Sequence, residues 1–429
     1  MQRSLISDII ANDIEGEVNI AVWIQDTRSL KNVIFLTVRD TSGMAQVTIR
    51  KGTLDNEEKI VGLNRESVIA VKGKWDRKSA SKLSVDIVAE KIEILNESLA
   101  PHPLGVDDPV EADFDTRLNN RFIDIRKPEK ALIFQIESTM LWGIRKFFNS
   151  QEFIEVHTPK IVAAATEGGA DLFSVKYFEK EAYLNQSPQL YKEILMSCGL
   201  DRVFEVGPAF RAEQHNTTRH LNEFTSIDIE VSFADHNDAM AFLENAIKHG
   251  VDEMLSRHSD QMEKHGIHVD RVKTPFPRIT YEECRKLIND AGMNLEFGDD
   301  FSPEQLKVIG NKFNGFYFII DWPSSMRPFY TMPKPEDPAL TNSFDLQFNE
   351  LEITSGAQRV HNPEILEKRF LDKGLNPSEF DFYIKAFKYG MPPHAGWAIG
   401  LERLVMILCG LPNIREATLF PRDRTRIVP

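Results

Sequence analysis

Hydrophobic and polar positions divide the chain into two differently patterned stretches. Between residues 17 and 95, short runs alternate with period two: VNIAVWI, VIFLTVR, MAQVTI, SVIAVKGKW and LSVDIVAEKIEIL. That period puts every second side chain on one face, as half-buried strands require. Polar or turn-rich segments such as residues 40–43 separate the runs, and DNEEKIVGLN between the third and fourth has the spacing of a short helix. Five strands with one such interruption predict a small all-β unit. An oligonucleotide-binding (OB) barrel fits that pattern, and other small barrels stay open.

The pattern then changes. Residues 100–113, APHPLGVDDPVEAD, are rich in proline and acids and have little periodicity, as in a linker. Residues 130–149 place Ile133, Ile136, Met140, Leu141, Ile144, Phe147 and Phe148 at helical spacing. A strand, FIEVHTP, ends at Pro159, and residues 183–231 alternate β-runs with loops. Strands return at 316–321 and 344–354, with helices predicted over 235–258, 281–291, 303–313 and 363–373. Long β-runs without regular βαβ alternation predict an α+β domain around a mostly antiparallel sheet. The expected organisation is therefore a β-unit over 1–99, a linker or hinge over 100–128 and a large domain over 129–429.

Composition narrows the class. The 429 residues are 42% hydrophobic and 27% charged, which suits a globular protein. No run of 18 apolar residues occurs, so no membrane-spanning helix is predicted. The opening MQRSLISDIIANDIEGE carries acids where a signal peptide needs an apolar core, so a cytoplasmic location is expected. Cys198, Cys284 and Cys409 lack pair spacing and read as thiols. The net charge of −14 argues against a general coat of nucleic-acid contacts, yet residues 28–82 hold 12 Lys and Arg against 6 Asp and Glu. Such a local excess suits contact with a polyanion at selected places, and it also arises from chance clustering of surface charge.

Three constellations carry candidate chemistry. In VFEVGPAFRAEQHNTTRHLNEFTSIDIEV, residues 203–231, two alternating runs each have one apolar face, and the opposite face is densely ionic, with Glu205, Arg211 and Glu213 on one run and Ser226, Asp228 and Glu230 on the other. Arg211 and Arg219 are candidate clamps for a polyphosphate, because a guanidinium fork matches two phosphate oxygens; a solvated, salt-bridged face has the same pattern. In FDLQFNELEITSGAQR, residues 344–359, Glu350 and Glu352 lie two apart with Ser355 and Arg359 beyond, and paired carboxylates hold divalent cations. In HAGWAIGLERLVMILCGL, residues 394–411, Arg403 lies within an apolar run and needs an anionic partner, either ligand or carboxylate. Neither G-x-G-x-x-G nor G-x-x-x-x-G-K-[ST] occurs, so any nucleotide is held by another architecture.

These segments together resemble the class II aminoacyl-tRNA synthetases, whose three motifs occur here in order. The helix and proline-ended strand of EKALIFQIESTMLWGIRKFFNSQEFIEVHTP match the first, Phe210-Arg211-Ala212-Glu213 the second, and Ala398-Ile399-Gly400-Leu401-Glu402-Arg403 the third, with Ala398 replacing that motif's first glycine. ATEGGADLF, QSPQLYKE and LEITSGAQR resemble the aspartate-specific branch of archaeal and eukaryotic type. The resemblance implies an OB-fold anticodon-binding domain and a class II catalytic domain that activates L-aspartate with ATP and loads it onto tRNA-Asp, and it leaves tRNA-Asn open as a second substrate. It implies that Glu167, Gln189, Lys192, Arg211, Ser355 and Arg359 bind aspartate, Glu167 and Gln189 at the ammonium and Lys192 and Arg359 at the side-chain carboxylate. It places ATP against Arg211, Glu213, Arg219, His220, Leu221, Phe224, Glu352, Gly400 and Arg403, with Arg211 and Arg403 catalytic. Glu352, Ser355 and Asp345 are the implied Mg2+ ligands. Phe35, Gln46, Gln25 and Lys82 are the implied anticodon contacts, and a homodimer formed through the first motif is expected. Phe35 equally suits a core aromatic by pattern.

Rival readings are an asparaginyl-tRNA synthetase, an asparagine-forming paralogue and a non-catalytic tRNA-binding relative. Lys192 opposes the first, because an asparagine side chain has no charge for it to meet. The β-unit opposes the second, and the presence of Arg211, Arg403 and Glu352 opposes the third.

Overall fold

The computed structural model describes residues 3–11, 16–75, 83, 85–106, 112–163 and 172–429. The chain forms two compact units, Met1–Gly105 and Val106–Pro429. In the first, β1 (Gly16–Ser29), β2 (Val33–Arg39), β3 (Met44–Arg50), β4 (Val68–Trp75) and β5 (Asp86–Asn96) run in the order β1–β2–β3–β5–β4. Strand β4 returns to pair with β1, so the hydrogen bonding completes a circuit. Alternation explains the core: Ile34, Leu36 and Val38 of β2 and Ala45, Val47 and Ile49 of β3 are fully buried, while Phe35, Thr37 and Gln46 lie half-buried on the other face. The unit is not all-β. Helices α1 (Ile6–Ala11) and α2 (Glu57–Val61) add Ile6, Ile9 and Ile60 to its core. The second matches the predicted interruption; the first was too short and mixed to show a period.

The second unit opens with α3 (Phe114–Asn119) and α4 (Arg121–Asp124), so the segment read as linker over 100–128 is helical in its later part. Asp113 caps α3 by accepting from the Thr116 amide at 3.0 Å. The long helices are α5 (Pro128–Ser150) and α7 (His236–Lys264), with α6 (Gln189–Ser197) between them in sequence. Shorter helices follow: α8 (Tyr281–Asp290), α9 (Pro303–Gly310), α10 (Pro363–Asp372), α11 (Asp381–Lys388) and α12 (Leu401–Leu408). A small antiparallel sheet joins β7 (Ile161–Val162), β8 (Ser174–Tyr177) and β9 (Lys180–Leu184).

The main sheet contains β6 (Ile154–Glu155), β10 (Arg202–Phe210), β11 (Glu223–Ser232), β12 (Arg278–Thr280), β13 (Phe316–Ile320), β14 (Ser343–Phe348), β15 (Leu351–Gln358) and β16 (His394–Gly400). Their order is β12–β13–β14–β15–β16–β11–β10–β6, antiparallel except at the two edge pairs. Helices α5 and α7 cover one face, where Ile136, Met140, Ile144, Phe148, Leu243 and Ile247 pack against Ile227, Ile229 and Trp397. The two helices meet through glycines. A Cβ on Gly143 would lie 2.7 Å from the His249 carbonyl oxygen, and one on Gly250 would lie 2.9 Å from Met140 Cγ. No helix among the described residues is long and apolar enough to cross a membrane.

One group in this layer is out of balance. Glu137 on α5 has Oε2 buried without a partner, and burial, reinforced by Glu402, pushes its carboxyl up to about 8. A carboxyl raised in the folded state favours folding at low pH and loses that contribution as pH rises through about 8. Glu137→Gln is therefore expected to leave the melting temperature unchanged at pH 5 and to raise stability by roughly 1–2 kcal/mol at pH 9. Thermal melts at both pH values check this, and equal effects at both would contradict it.

Candidate active site

Strand register assembles the site from residues far apart in sequence. Glu205 of β10 lies opposite Asp228 of β11, Asp228 opposite Ala398 of β16, Ala398 opposite Ser355 of β15, and Ser355 opposite Asp345 of β14. Directly paired residues point to one face, so this row runs across the side of the sheet opposite α5 and α7. Its middle must be small, and Ala398 lines the cavity above it. Glu352 and Ser355 are three apart, which in a regular strand puts them on opposite faces. The register shift between Leu346 and Gln347 places Glu352 opposite Gln347, and so returns it to the side of Ser355 and Asp345. Glu350 falls in the turn between β14 and β15 and does not line the cavity.

At one end the face is filled by buried, paired charge. Lys192 Nζ donates to Asp228 Oδ1 at 3.0 Å and to the Trp397 carbonyl at 3.1 Å, and lies 3.6 Å from Glu230. It sits behind the cavity wall. Arg359 does line the cavity and forks Glu230 with bonds of 3.0 and 3.3 Å, its guanidinium lying 5.3 Å from the Tyr330 ring centre. Despite full burial, the surrounding carboxylates hold this arginine firmly protonated. Gln189, also in the wall, donates Nε2 to Glu193 at 2.6 Å. Glu193 further accepts from the Tyr383 hydroxyl at 2.7 Å and faces His394 Nε2 at 3.2 Å. Burial opposes the Glu193 carboxylate, yet His394, Arg359 and Gln189 hold it below the usual range. The Gln189 amide nitrogen is committed to Glu193, and its remaining polar atom is a carbonyl oxygen, the right type for an ammonium.

The other end is rich in cations. Arg211, Glu213, Arg219, His220, Leu221 and Phe224 line the same cavity of about 280 Å³ as Glu352, Ser355, Gly400 and Arg403. The Arg211 guanidinium lies 5.4 Å from the Phe224 ring centre. Arg403 binds the carbonyls of Glu352 and Arg219, each at 3.3 Å, tying α12 to β15 and to the loop after β10. His220 Nδ1 lies 2.6 Å from the Thr217 hydroxyl, and burial with Arg403 nearby lowers the ring below its usual range. Burial and the neighbouring Asp345 push Glu352 up to about 7. Asp345 accepts from Arg327 at 2.6 Å through Oδ2, while Oδ1 is buried without a partner. The cavity thus joins an end holding a buried, paired guanidinium to an end rich in cations, with Glu352 between and Asp345 behind it.

Sequence comparison settles what scaffold this is. The family described as tRNA synthetases class II (D, K and N) matches residues 113–424, and the OB-fold nucleic acid binding domain matches residues 18–95. The chain belongs to the class II tRNA synthetases of the D, K and N group. The aspartate–tRNA(Asp) ligase of Thermoplasma volcanium is 62% identical over 429 residues, with 100% of each chain covered. The aspartate–tRNA(Asp/Asn) ligase of Archaeoglobus fulgidus is 47% identical, covering 97% of this chain and 98% of its own. Among solved structures, asparaginyl-tRNA synthetase from Pyrococcus horikoshii with asparaginyl-adenylate superposes with a TM-score of 0.92 at 30% identity, covering 100% of both chains.

Most residues that the class II resemblance implies for substrates lie around one cavity; Lys192 and Asp345 stand just behind its wall. Glu167 and Lys82 lie outside the described residues. In the OB-fold unit, Phe35 and Gln46 share the outer face, on paired strands β2 and β3, so Phe35 is not a core aromatic. Gln46 is held by Asp86 at 2.9 Å. Gln25 sits at a β1 register shift, buried, with Nε2 on Glu66 at 2.6 Å. Sequence reasoning placed Asp228 and Glu230 on the ionic face but gave neither a role, and it missed Glu193, Tyr383, His394 and Arg327. Their signal was weak, because each contacts a partner far away in the chain.

Gly396 shows how tight the pocket floor is. A Cβ there would collide with the Ile229 carbonyl and the Glu230 carboxylate, the group that orients Arg359. Gly396→Ala is expected to cost roughly 1–3 kcal/mol of stability and to weaken binding at the Arg359 end more than at the Arg403 end. Melting curves together with KM values for both substrates test this; an unaltered protein would show that the floor yields freely.

Proposed function

We propose that this protein activates L-aspartate with ATP and transfers the aspartyl group to tRNA-Asp. The observation that carries the reading is Arg359: a buried guanidinium, fixed by Glu230 and open to the same cavity as Arg211 and Arg403. A fixed cation beside an anion-binding end selects a substrate with a side-chain carboxylate that reacts at a phosphate. Lys192 acts from behind, balancing Asp228 and Glu230 so that Arg359 keeps charge for the ligand. Gln189 meets the ammonium.

In the reaction, the aspartate α-carboxylate attacks the α-phosphorus of ATP, the bond to the β-phosphate oxygen breaks, and pyrophosphate leaves. Arg211 binds the oxygens that gain charge, Arg219, His220 and Arg403 hold the distal phosphates, and Phe224 and Glu213 receive the adenine. The terminal ribose 3′-hydroxyl of tRNA then attacks the activated carbonyl, losing its proton as AMP leaves. Rate enhancement comes from positioning and preorganised charge.

Asp345, Glu352 and Ser355 suit a divalent cation, because Asp345 Oδ1 is an orphaned buried acceptor and its repulsion of Glu352 is of the kind a cation relieves. Among the described residues no group of three or more His, Cys, Asp or Glu side chains forms a metal site, so Mg2+ would share its coordination with the Ser355 hydroxyl and nucleotide phosphates. When bound, Mg2+ supplies charge neutralisation of the phosphates. Placement of the reaction in the cytoplasm and assembly as a homodimer through α5 belong to the same proposal; Trp142 on that helix is 53% exposed.

For tRNA, the OB-fold unit receives the anticodon, with Phe35 stacking on a base and Gln46 reading the central uridine. Gln25 bears on the third base, which is cytosine in tRNA-Asp and uracil in tRNA-Asn. Its amide nitrogen is committed to Glu66, which leaves a carbonyl acceptor; cytosine offers an amino donor and uracil a repelling carbonyl. That favours tRNA-Asp, with tRNA-Asn as the second reading that the Asp/Asn relatives raise.

ATP–pyrophosphate exchange is expected with aspartate and not with asparagine; exchange with asparagine alone, or with neither, would overturn the assignment. Lys192→Ala is expected to weaken aspartate activation far more than ATP binding, and equal losses would remove its assigned role. Charging of tRNA-Asp should exceed that of tRNA-Asn by roughly tenfold or more, and Gln25→Ala should narrow the gap. Equal charging of both tRNAs by the native protein would favour the second reading.

A further inference from the structure

The loop over residues 211–222 carries Arg219 and His220 and has bonds of its own, among them the Arg219 amide to the Thr217 hydroxyl at 3.2 Å and Asn222 Nδ2 to the Arg211 carbonyl at 2.9 Å. Much of its support comes from the C-terminal tail. Arg415 lies in a short turn, is almost fully buried, and uses all three guanidinium nitrogens. Nη1 donates to the Thr217 carbonyl at 2.9 Å, Nη2 to Asn216 Oδ1 at 3.0 Å, and Nε to Asp423 Oδ2 at 2.8 Å. Around it the Ile414 amide donates to the Thr218 carbonyl at 2.9 Å, Arg424 to the Gln214 carbonyl at 2.8 Å, and the Asn222 amide to the Arg422 carbonyl at 2.9 Å. The loop is therefore stitched to the tail from Gln214 to Asn222.

The tail is in turn anchored below. Arg117 forks Glu416 at 2.9 and 2.8 Å and also binds Asp124 at 3.0 Å. Arg121 reaches the carbonyls of Glu416 and Thr418 at 3.1 and 2.9 Å and Asp124 at 2.7 Å. All four charged groups are at most 5% exposed. Buried, mutually paired charges of this kind give a rigid base, since displacing any one strands the others. Arg415 stands between that base and the loop.

We propose that Arg415 is a positioning residue for ATP: with Asp423 and Asn216 it holds the 211–222 loop where Arg219 and His220 face the phosphates, without touching substrate itself. The inference rests on the proposed ATP-dependent activation. It assigns the last stretch of the chain a part in nucleotide binding through the loop it clamps. A planar fork suits these partners, because its three nitrogens donate from separate positions, whereas a lysine's three N–H bonds all radiate from one nitrogen.

The test is aspartate-dependent ATP–pyrophosphate exchange with Arg415→Ala, Arg415→Lys and Asn216→Ala, each with melting curves. Arg415→Ala is expected to lower kcat/KM for ATP roughly 10- to 100-fold while the KM for aspartate stays within about twofold, since small displacements of a binding group carry penalties of that order. Arg415→Lys should recover melting temperature more than ATP affinity. Asn216 is exposed, so Asn216→Ala keeps the fold intact and decides the matter should Arg415→Ala fail to fold; it should raise the KM for ATP and leave that for aspartate unchanged. An unchanged KM for ATP in Asn216→Ala, or equal losses for both substrates in Arg415→Ala, would overturn the proposal. Absence of exchange in the native protein would instead defeat the activation reading.

Discussion

Four buried charges set the terms for the rest of the structure: Lys192 and Arg359 against Asp228 and Glu230. A lone charge at any of these positions would carry a desolvation penalty of several kcal/mol, so the four must arrive together. They come from α6, β11 and the residue after β15, and only a sheet with the observed register brings them into contact. Because the set is neutral as a whole, Arg359 stays ionised in a buried position and still presents a guanidinium edge to the cavity. The guanidinium that lines the cavity is thus held in place by buried partners, Glu230 directly and Lys192 and Asp228 beside it.

The sheet serves this arrangement through small residues and one irregularity. Gly356 leaves room for the Phe344 ring on the helix-covered face, and Gly396 leaves room for the Glu230 carboxylate on the other. Ala398 keeps the middle of the cross-strand row low. The β-bulge in the β14–β15 hairpin turns Glu352 toward Asp345 and Ser355. Close packing of α5 and α7 through Gly143 and Gly250 supplies a stiff apolar backing, so that the polar face does not have to stabilise itself.

Several elements were legible because their evidence is local. The period-two runs of β2 and β3 and the helical spacing of α5 and α8 appear in the structure within a few residues of their predicted bounds, and α7 starts as predicted but runs on to Lys264, past its expected end at 258. Others were not. The QLYKEILMS stretch forms α6, but it is short, follows a loop and buries Gln189, Lys192 and Glu193, so its polar residues mask the apolar stripe. The run over 344–354 resolves into two strands, because the turn at Asn349, with φ of 53°, has no strong breaker in the sequence. Helices α3 and α4 lie in a stretch read as linker; Arg117 of α3 pairs with Glu416, 299 residues away, a contact that no window of sequence reveals.

The sequence by itself determined the two-part organisation, the strand and helix periods, and the inventory of arginines and carboxylates suited to a polyphosphate and a divalent cation. Those follow from side-chain chemistry and local spacing, which a linear pattern records. Tertiary structure decided which charges open to the cavity and which are enclosed: Arg359 lines the cavity, while Lys192 is paired with Asp228 behind it. It also decided that Glu352 joins Asp345 and that the C-terminal tail clamps the 211–222 loop. These depend on register, on a bulge and on contacts between distant segments, where a shift of one residue would send each side chain to the opposite face.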